Sequence, residues 1–319
     1  MKKIMVFDVG GTEVKYSVVG EDLSINDSGY FPTPNVKGDN VKALWEGEGV
    51  DEAYEDFLDK LCEVYRPHAG ETEGIAMSLP GFIDTQNGRQ CGGGALPYII
   101  RRDIAKDLSA KAGCAVRIAN DGKCAALAEK KSGSLTECKN ASVFIIGTGV
   151  GGGLIINDRV LNGTHFTAGE FSFFRVNMDG DWSDRKNTLG DVCSTRGLLL
   201  EYRKAKGLPK DADMDGRRFF EQYNAGEKEA VDTLKLFCRR VAMTIQNLTF
   251  LLDLEKIAIG GGISKQPALL EGIRKAIDDL DANSGLVYDP NMPKAEVVSC
   301  HYSSEANQIG AYFLFSEDI

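Results

Sequence analysis

The chain has 319 residues, 43% hydrophobic and 26% charged, as in a globular protein with room for two cores. Its net charge of −10 argues against nucleic acid as a partner, because phosphate backbones call for basic patches. No apolar run reaches membrane-spanning length, and Asp8 ends the stretch behind Lys2 and Lys3 too early for a signal peptide.

Residues 4–9 read as a buried strand with Asp8 near its end. Gly10, Gly11 and Thr12 turn the chain, and Val14, Tyr16 and Val18 alternate with Lys15 and Ser17 in a returning strand. A third strand is predicted over 23–31, before Pro32 and Pro34 break into a loop. Residues 50–65 place Ala53, Phe57, Leu61 and Val64 at helical spacing. Residues 74–79 read as a buried strand that runs into Pro80-Gly81, and Asn87-Gly88 marks a turn. A helix over 104–112 stops at Gly113. A short strand over 115–119 stops at Asn120-Asp121, and a helix over 122–131 follows.

The apolar strand 142–146 enters the turn GTGVGGG and leaves as the strand LII. Strand, glycine turn, strand thus recurs roughly 140 residues after its first appearance, as an internal duplication would require. Residues 177–191 are polar and read as a surface loop. Helices are predicted over 195–206, 227–252 and 269–280, with strands over 257–259 and 296–299 and a closing helix over 304–315. Strands and helices alternate throughout, so the class is α/β.

Three glycine turns each follow an apolar strand, and glycine lets backbone N–H groups approach a phosphate. Gly147, Gly149 and Gly152 have dinucleotide-loop spacing, but a strand follows where that loop needs a helix. No Gly-Lys-Ser/Thr ends any glycine run, which excludes a P-loop. Convergence of the three turns on one polyphosphate accounts for them better than unrelated hairpins. Asp8, just before the first turn, is placed to help hold Mg²⁺. Asp121 fits either a general base or a helix N-cap. The eight cysteines include no Cys-x-x-Cys pair and read as reduced thiols of a cytoplasmic protein.

The segments FDVGGTEVKY, IANDGKCAALAE, IGTGVGGGLI, TAGEF, IAIGGGIS and NQIGAYFLF occur in this order over essentially the whole chain. Together they resemble the ROK family of sugar kinases, within the actin-like, hexokinase-like ATPase superfamily. The resemblance implies two actin-like (ribonuclease H-like) lobes with a cleft between them, a small lobe of residues 1–119 plus 305–319 and a large lobe of 120–304. It implies ATP at Gly10, Gly11, Thr12, Thr148, Gly149, Gly261 and Gly262, with Asp8 on Mg²⁺ directly or through water. It implies sugar on Asn120 and Glu170, a pocket shaped by Gly81 and Gly94, and Asp121 as the base that activates the 6-hydroxyl. Glucose, a β-glucoside or an N-acetylhexosamine would be the acceptor, and a homodimer the assembly.

The chain also departs from the family pattern. Many members carry Gly-His after the Ala-Gly-Glu segment and a Cys-x-Cys-Gly-x-x-Gly-Cys zinc loop. Here Phe171-Ser172-Phe173 follows Glu170, and the loop GDVCSTRGLLLEY has the lone Cys193, so no zinc is expected. Phe171 and Phe173 could instead offer apolar surface to an aglycone or acetyl group. Two competing readings are a non-catalytic sugar-binding regulator and an actin-like ATPase with another acceptor. The family's repressors carry a helix-turn-helix ahead of this body, whereas here the first strand begins at residue 4.

Overall fold

The computed structural model describes residues 3–34, 50–181, 187–283 and 294–315. In chain order, the strands are β1 (Ile4–Val9), β2 (Glu13–Val19), β3 (Ile25–Pro32), β4 (Gly74–Leu79), β5 (Phe82–Asp84), β6 (Arg89–Gly92), β7 (Ala115–Asn120), β8 (Ala141–Ile146), β9 (Val150–Ile156), β10 (Arg159–Val160), β11 (Lys256–Gly260) and β12 (Glu296–Ser299). The helices are α1 (Val50–Tyr65), α2 (Ile104–Ala112), α3 (Asp121–Ser132), α4 (Leu189–Val192), α5 (Thr195–Lys206), α6 (Gly216–Asn224), α7 (Lys228–Leu252), α8 (Pro267–Asn283) and α9 (Ala306–Phe313). Within the predicted loop 177–191, residues 182–186 lie outside the described residues, and Leu189–Val192 is a short helix.

Contacts divide the chain into two compact units. One comprises residues 1–131, 160–168 and 305–319, the other 132–159 and 169–304. Residues 120–131 therefore group with the first unit, whereas the sequence reading opens the second lobe at residue 120. The reason is packing: a Cβ on Gly310 of α9 would meet the backbone oxygen of Cys124 in α3 at 1.8 Å, so these helices touch backbone to backbone.

The first unit carries a sheet in the order β3-β2-β1-β4-β7. Its β1–β2 hairpin is antiparallel with Val9 opposite Val14, while β4 and β7 extend it in parallel. Helix α1 forms because Tyr54, Phe57, Leu58, Leu61 and Tyr65 fall on one face, and Asp51 and Glu52 suit the positive end of its dipole. Fully burying residues such as Phe57 and Leu61 stabilises by about 1.5–3 kcal/mol each.

The second unit repeats the plan with the order β10-β9-β8-β11-β12, again one antiparallel hairpin followed by two parallel strands. The strand–turn–strand recurrence in the sequence is thus a duplication of a whole sheet. Its core joins Phe144 and Ile146 of β8 to Leu198 and Tyr202 of α5, Phe219 of α6 and Phe237 and Val241 of α7. Among the described residues no helix is long and apolar enough to cross a membrane.

Candidate active site

In the first unit the ends of β1, β4 and β7 bring the predicted residues onto one sheet. Asp8, in β1, pairs with Lys15 on one side and Ser78 on the other. Its carboxyl is half-buried and accepts a hydrogen bond from Asn307 Nδ2 at 3.0 Å. Burial pushes its pKa above the usual carboxylate range. Lys15 lies half-exposed beside Glu13 at 3.5 Å, as an exposed strand lysine would.

In the turn after β1, Gly10 donates its N–H to Glu13 O at 3.0 Å, and its carbonyl accepts from Thr33 Oγ1 at 2.7 Å. Gly11 and Thr12 project as the exposed tip. Gly81 and Gly94 have φ of +98° and +87°. Each would carry its Cβ into protein, Gly81 within 2.5 Å of Gln90 Nε2 and Gly94 within 2.8 Å of Pro80 O. These two glycines are therefore required for close packing of their turns around the fully buried Gln90.

Asn120 and Asp121 divide two tasks that the sequence leaves open. Asn120 caps α3: its Oδ1 accepts the Lys123 backbone N–H at 3.1 Å, and its Nδ2 donates to Gly81 O at 3.0 Å. Asp121 is thus the first helical residue, not the cap. Its Oδ1 accepts the Gly122 N–H at 2.8 Å, which leaves further acceptor capacity on the carboxylate. Burial pushes Asp121 up to about 6; the Gly122 bond opposes this, and the negative charge of Asp8 adds to it. A carboxyl poised near neutrality suits proton transfer. The donor set fits Mg²⁺: Asp8 offers hard oxygens, and a divalent cation there would offset the field of Asp8 on Asp121.

In the second unit, Thr148 and Gly149 form the exposed tip of the β8–β9 turn. The turn is braced by Gly147, whose N–H donates to Gly149 O at 3.0 Å and whose carbonyl accepts from Thr195 N at 2.9 Å. The rest of the glycine run serves packing. A Cβ on Gly152 would lie 2.3 Å from the Phe171 ring, and one on Gly169 would lie 3.1 Å from Gly153 Cα. Phe171 is fully buried, stacked on Phe144 at 5.5 Å between ring centroids. This corrects the expectation that Phe171 could face an aglycone or acetyl group. Phe173 is 63% exposed. Glu170, half-buried, opens the short 3-10 turn Phe171–Phe173.

Beside Thr148 lies a cavity of about 460 Å³ lined by Thr195, Gly216, Arg217, Phe220, Gly262 and Gln266, among others. Helices α5 and α6 start at its wall, capped by Ser194 and Asp215. Two helix N-termini and Arg217 make its wall favourable for anions. The sequence analysis does not single out Thr195, Arg217, Phe220 and Gln266; Arg217 and Phe220 lie on α6, a helix it does not predict. The signal was present: Asp215 is a good cap, and Phe219, Phe220 and Tyr223 have helical spacing. Cys193 is fully buried in this unit's core, and burial pushes its thiol up to about 12.

The ROK family model matches residues 4–318. The beta-glucoside kinase of Klebsiella pneumoniae is 29% identical over 273 residues, covering 86% of each chain. The N-acetyl-D-glucosamine kinase of Vibrio atlanticus is 29% identical over 283 residues, covering 85% of this chain and 88% of its own. A crystal structure of a ROK family protein from Streptococcus pneumoniae in complex with sucrose superposes with a TM-score of 0.79 at 28% identity, over 97% of this chain and 96% of that one. The α/β class is that of the actin-like ATPase fold.

Proposed function

The chain belongs to the ROK family, and we propose that it transfers the γ-phosphate of ATP to the 6-hydroxyl of a hexose or hexose derivative. The observation that carries this reading is the division of labour at the start of α3. Asn120 caps the helix, so Asp121 keeps a carboxylate with acceptor capacity and a pKa raised to about 6.

Asp121 accepts the hydroxyl proton as that oxygen bonds to the γ-phosphorus. The bond from phosphorus to the bridging oxygen breaks, and ADP leaves with that oxygen. Asp8 would hold Mg²⁺, which supplies charge neutralisation on the phosphates when bound. The turns at Gly10, Gly11 and Thr12, at Thr148 and Gly149, and at Gly261 and Gly262 supply amide donors for the phosphates. The cavity bounded by Thr195, Arg217, Phe220 and Gln266 is of a size and polarity for the nucleoside.

Glu170 can accept hydrogen bonds from two adjacent hydroxyls, as a pyranose edge presents them. Exposed Phe173 adds apolar surface next to Glu170 in sequence, which favours a β-glucoside or N-acetylhexosamine over glucose. The similarity to kinases named for such sugars supports the same choice. The reading needs no zinc: Cys193 is occupied in core packing. It includes a cytoplasmic protein, in keeping with eight free thiols. It also includes a homodimer, supported by exposed Leu236, Met243 and Phe250 at seven-residue spacing along α7.

The test is ADP release over a panel of glucose, β-glucosides, N-acetylglucosamine and N-acetylmannosamine, with Asp121→Asn as the control. Turnover of at least one sugar that the variant abolishes is expected. Sugar binding without turnover of any panel member would favour the regulator reading.

A further inference from the structure

Lys123 sits where neither helix nor core favours a lysine. It is the third residue of α3, where a cation opposes the helix dipole, and it is only 3% exposed. Burying an ammonium is strongly unfavourable unless strong hydrogen bonds offset it. Here the ammonium donates to Phe166 O at 2.8 Å and to Asn162 O at 3.3 Å, two carbonyls of one short loop.

That loop holds itself weakly. Its internal bonds, Phe166 N–H to Gly163 O and Ala168 N–H to Asn162 O, are long at 3.3 and 3.4 Å. Phe166, a bulky residue, has φ of +62°, a conformation that persists only where its surroundings enforce it. Two residues past Ala168 the chain reaches Glu170. The backbone N–H of the same Lys123 donates to Asn120 Oδ1, and Asn120 Nδ2 donates to Gly81 O. One residue therefore binds the loop 160–168, the cap of α3 and, through that cap, the Gly81 turn.

We propose that Lys123 is a positioning residue for the acceptor sugar: it fixes the stretch that leads into Glu170 to the same helix start that presents Asp121. A stability-driven sequence would place a small capping or acidic residue there. Breaking a local rule beside a reactive carboxylate is the mark of a functional compromise. This inference rests on the sugar-kinase reading, in which Asp121 and Glu170 serve the acceptor.

The experiment uses the full chain with Lys123→Met, Lys123→Gln and Lys123→Arg, and the best substrate of the sugar panel. For Lys123→Met the sugar KM is expected to rise about tenfold or more, with the ATP KM within about twofold and kcat within about threefold. Amide exchange across 162–168 should quicken by about tenfold while β1 and β4 stay protected. Lys123→Arg should recover part of the sugar KM, and the acid limb of the pH profile should not move. An unchanged sugar KM with an unchanged loop overturns the proposal. So does a shifted acid limb at constant sugar KM, which would make Lys123 an electrostatic partner of Asp121. So does a uniform loss in both KM values with exchange raised throughout the unit, which is a purely structural role. If Lys123→Met does not fold, Lys123→Gln carries the same measurements. If the wild type turns over no panel sugar, the function reading fails by itself; loop protection retained in the variant then overturns the anchoring as well.

Discussion

Asn307, in the last helix, donates Nδ2–H to Asp8 Oδ1, in the first strand, at 3.0 Å across 299 residues of sequence. The bond fixes the carboxylate plane of the residue assigned to Mg²⁺. Hydrogen-bond partners of this kind set the affinity of a metal ligand, and losing one typically costs 10–100-fold. Asn307→Ala is expected to raise the Mg²⁺ concentration for half-maximal activity by about tenfold, with the sugar KM unchanged. Magnesium titrations of turnover check this, and Mn²⁺ binding followed by electron paramagnetic resonance provides a readout apart from activity. An unaltered metal requirement would leave Asn307 as a mere packing contact.

Asp121 yields a prediction with a sign. Its folded-state pKa of about 6 exceeds the ordinary aspartate value of 3.8, so the folded protein holds this proton more tightly than the unfolded chain. Stability from this group is present below the unfolded pKa and is lost as pH rises through about 6. Asp121→Asn removes the cost of the buried charge and can still accept the Gly122 N–H. It should melt higher than wild type at pH 8, by of the order of 1–3 kcal/mol, with the gap closing toward pH 4. The same variant should lose about 10²–10⁴ in kcat, and wild-type kcat/KM should fall on the acid side of an apparent pKa near 6. Paired melts and pH-rate profiles decide both halves. A variant less stable at pH 8 would contradict the burial argument, and one with full activity would remove Asp121 as base.

The two phenylalanines after Glu170 separate packing from recognition. Phe171 is fully buried between Phe144 and Phe174, so Phe171→Ala should cost about 3–5 kcal/mol of stability. Phe173 is exposed, so Phe173→Ala should melt within about 0.5 kcal/mol of wild type. If Phe173 meets an aglycone or acetyl group, its loss should raise the KM for derivatised sugars several-fold and leave that for glucose unchanged. Equal effects on glucose and its derivatives would end the assignment of Phe173 to substrate choice.

These residues also mark what the sequence makes legible. Most strands of the two sheets could be read because runs such as Ile4–Val9 and Ala141–Ile146 are apolar and end at glycine turns, whereas the two-residue β10 shows no pattern. Helix α6 was harder, since it opens on Gly216 and a pair of arginines, and glycine is a poor helix former. The roles of Asn307 and Lys123 could not be read at all. Each rests on a partner distant in sequence, Asp8 in one case and the 160–168 loop in the other, and no local pattern encodes such a pairing. Phe171 and Phe173 differ in fate for a similar reason: Gly152, not a neighbour in sequence, makes the space that draws Phe171 inward.

The third glycine turn offers the cleanest separation of folding from binding. Gly261 has φ of +98°, and a Cβ there would lie 2.2 Å from Ile146 O, a backbone atom that cannot step aside. Gly261→Ala should therefore destabilise by several kcal/mol through strain and overlap, whatever the turn binds. Its neighbour Gly262 is exposed, and a Cβ there would meet nothing within 4 Å. Gly262→Ala should melt within about 1 kcal/mol of wild type, since alanine also suits the 3-10 turn Gly262–Lys265 that it opens. Yet Gly262 lines the 460 Å³ cavity assigned to the nucleotide. A methyl group at that wall would hold a phosphate away from the backbone amide, so the ATP KM should rise by about tenfold with the sugar KM unaffected. Thermal melts and nucleotide titrations of the two variants separate these effects. If Gly262→Ala bound ATP as the wild type does, the phosphates would not reach this turn, and the cavity would need another occupant.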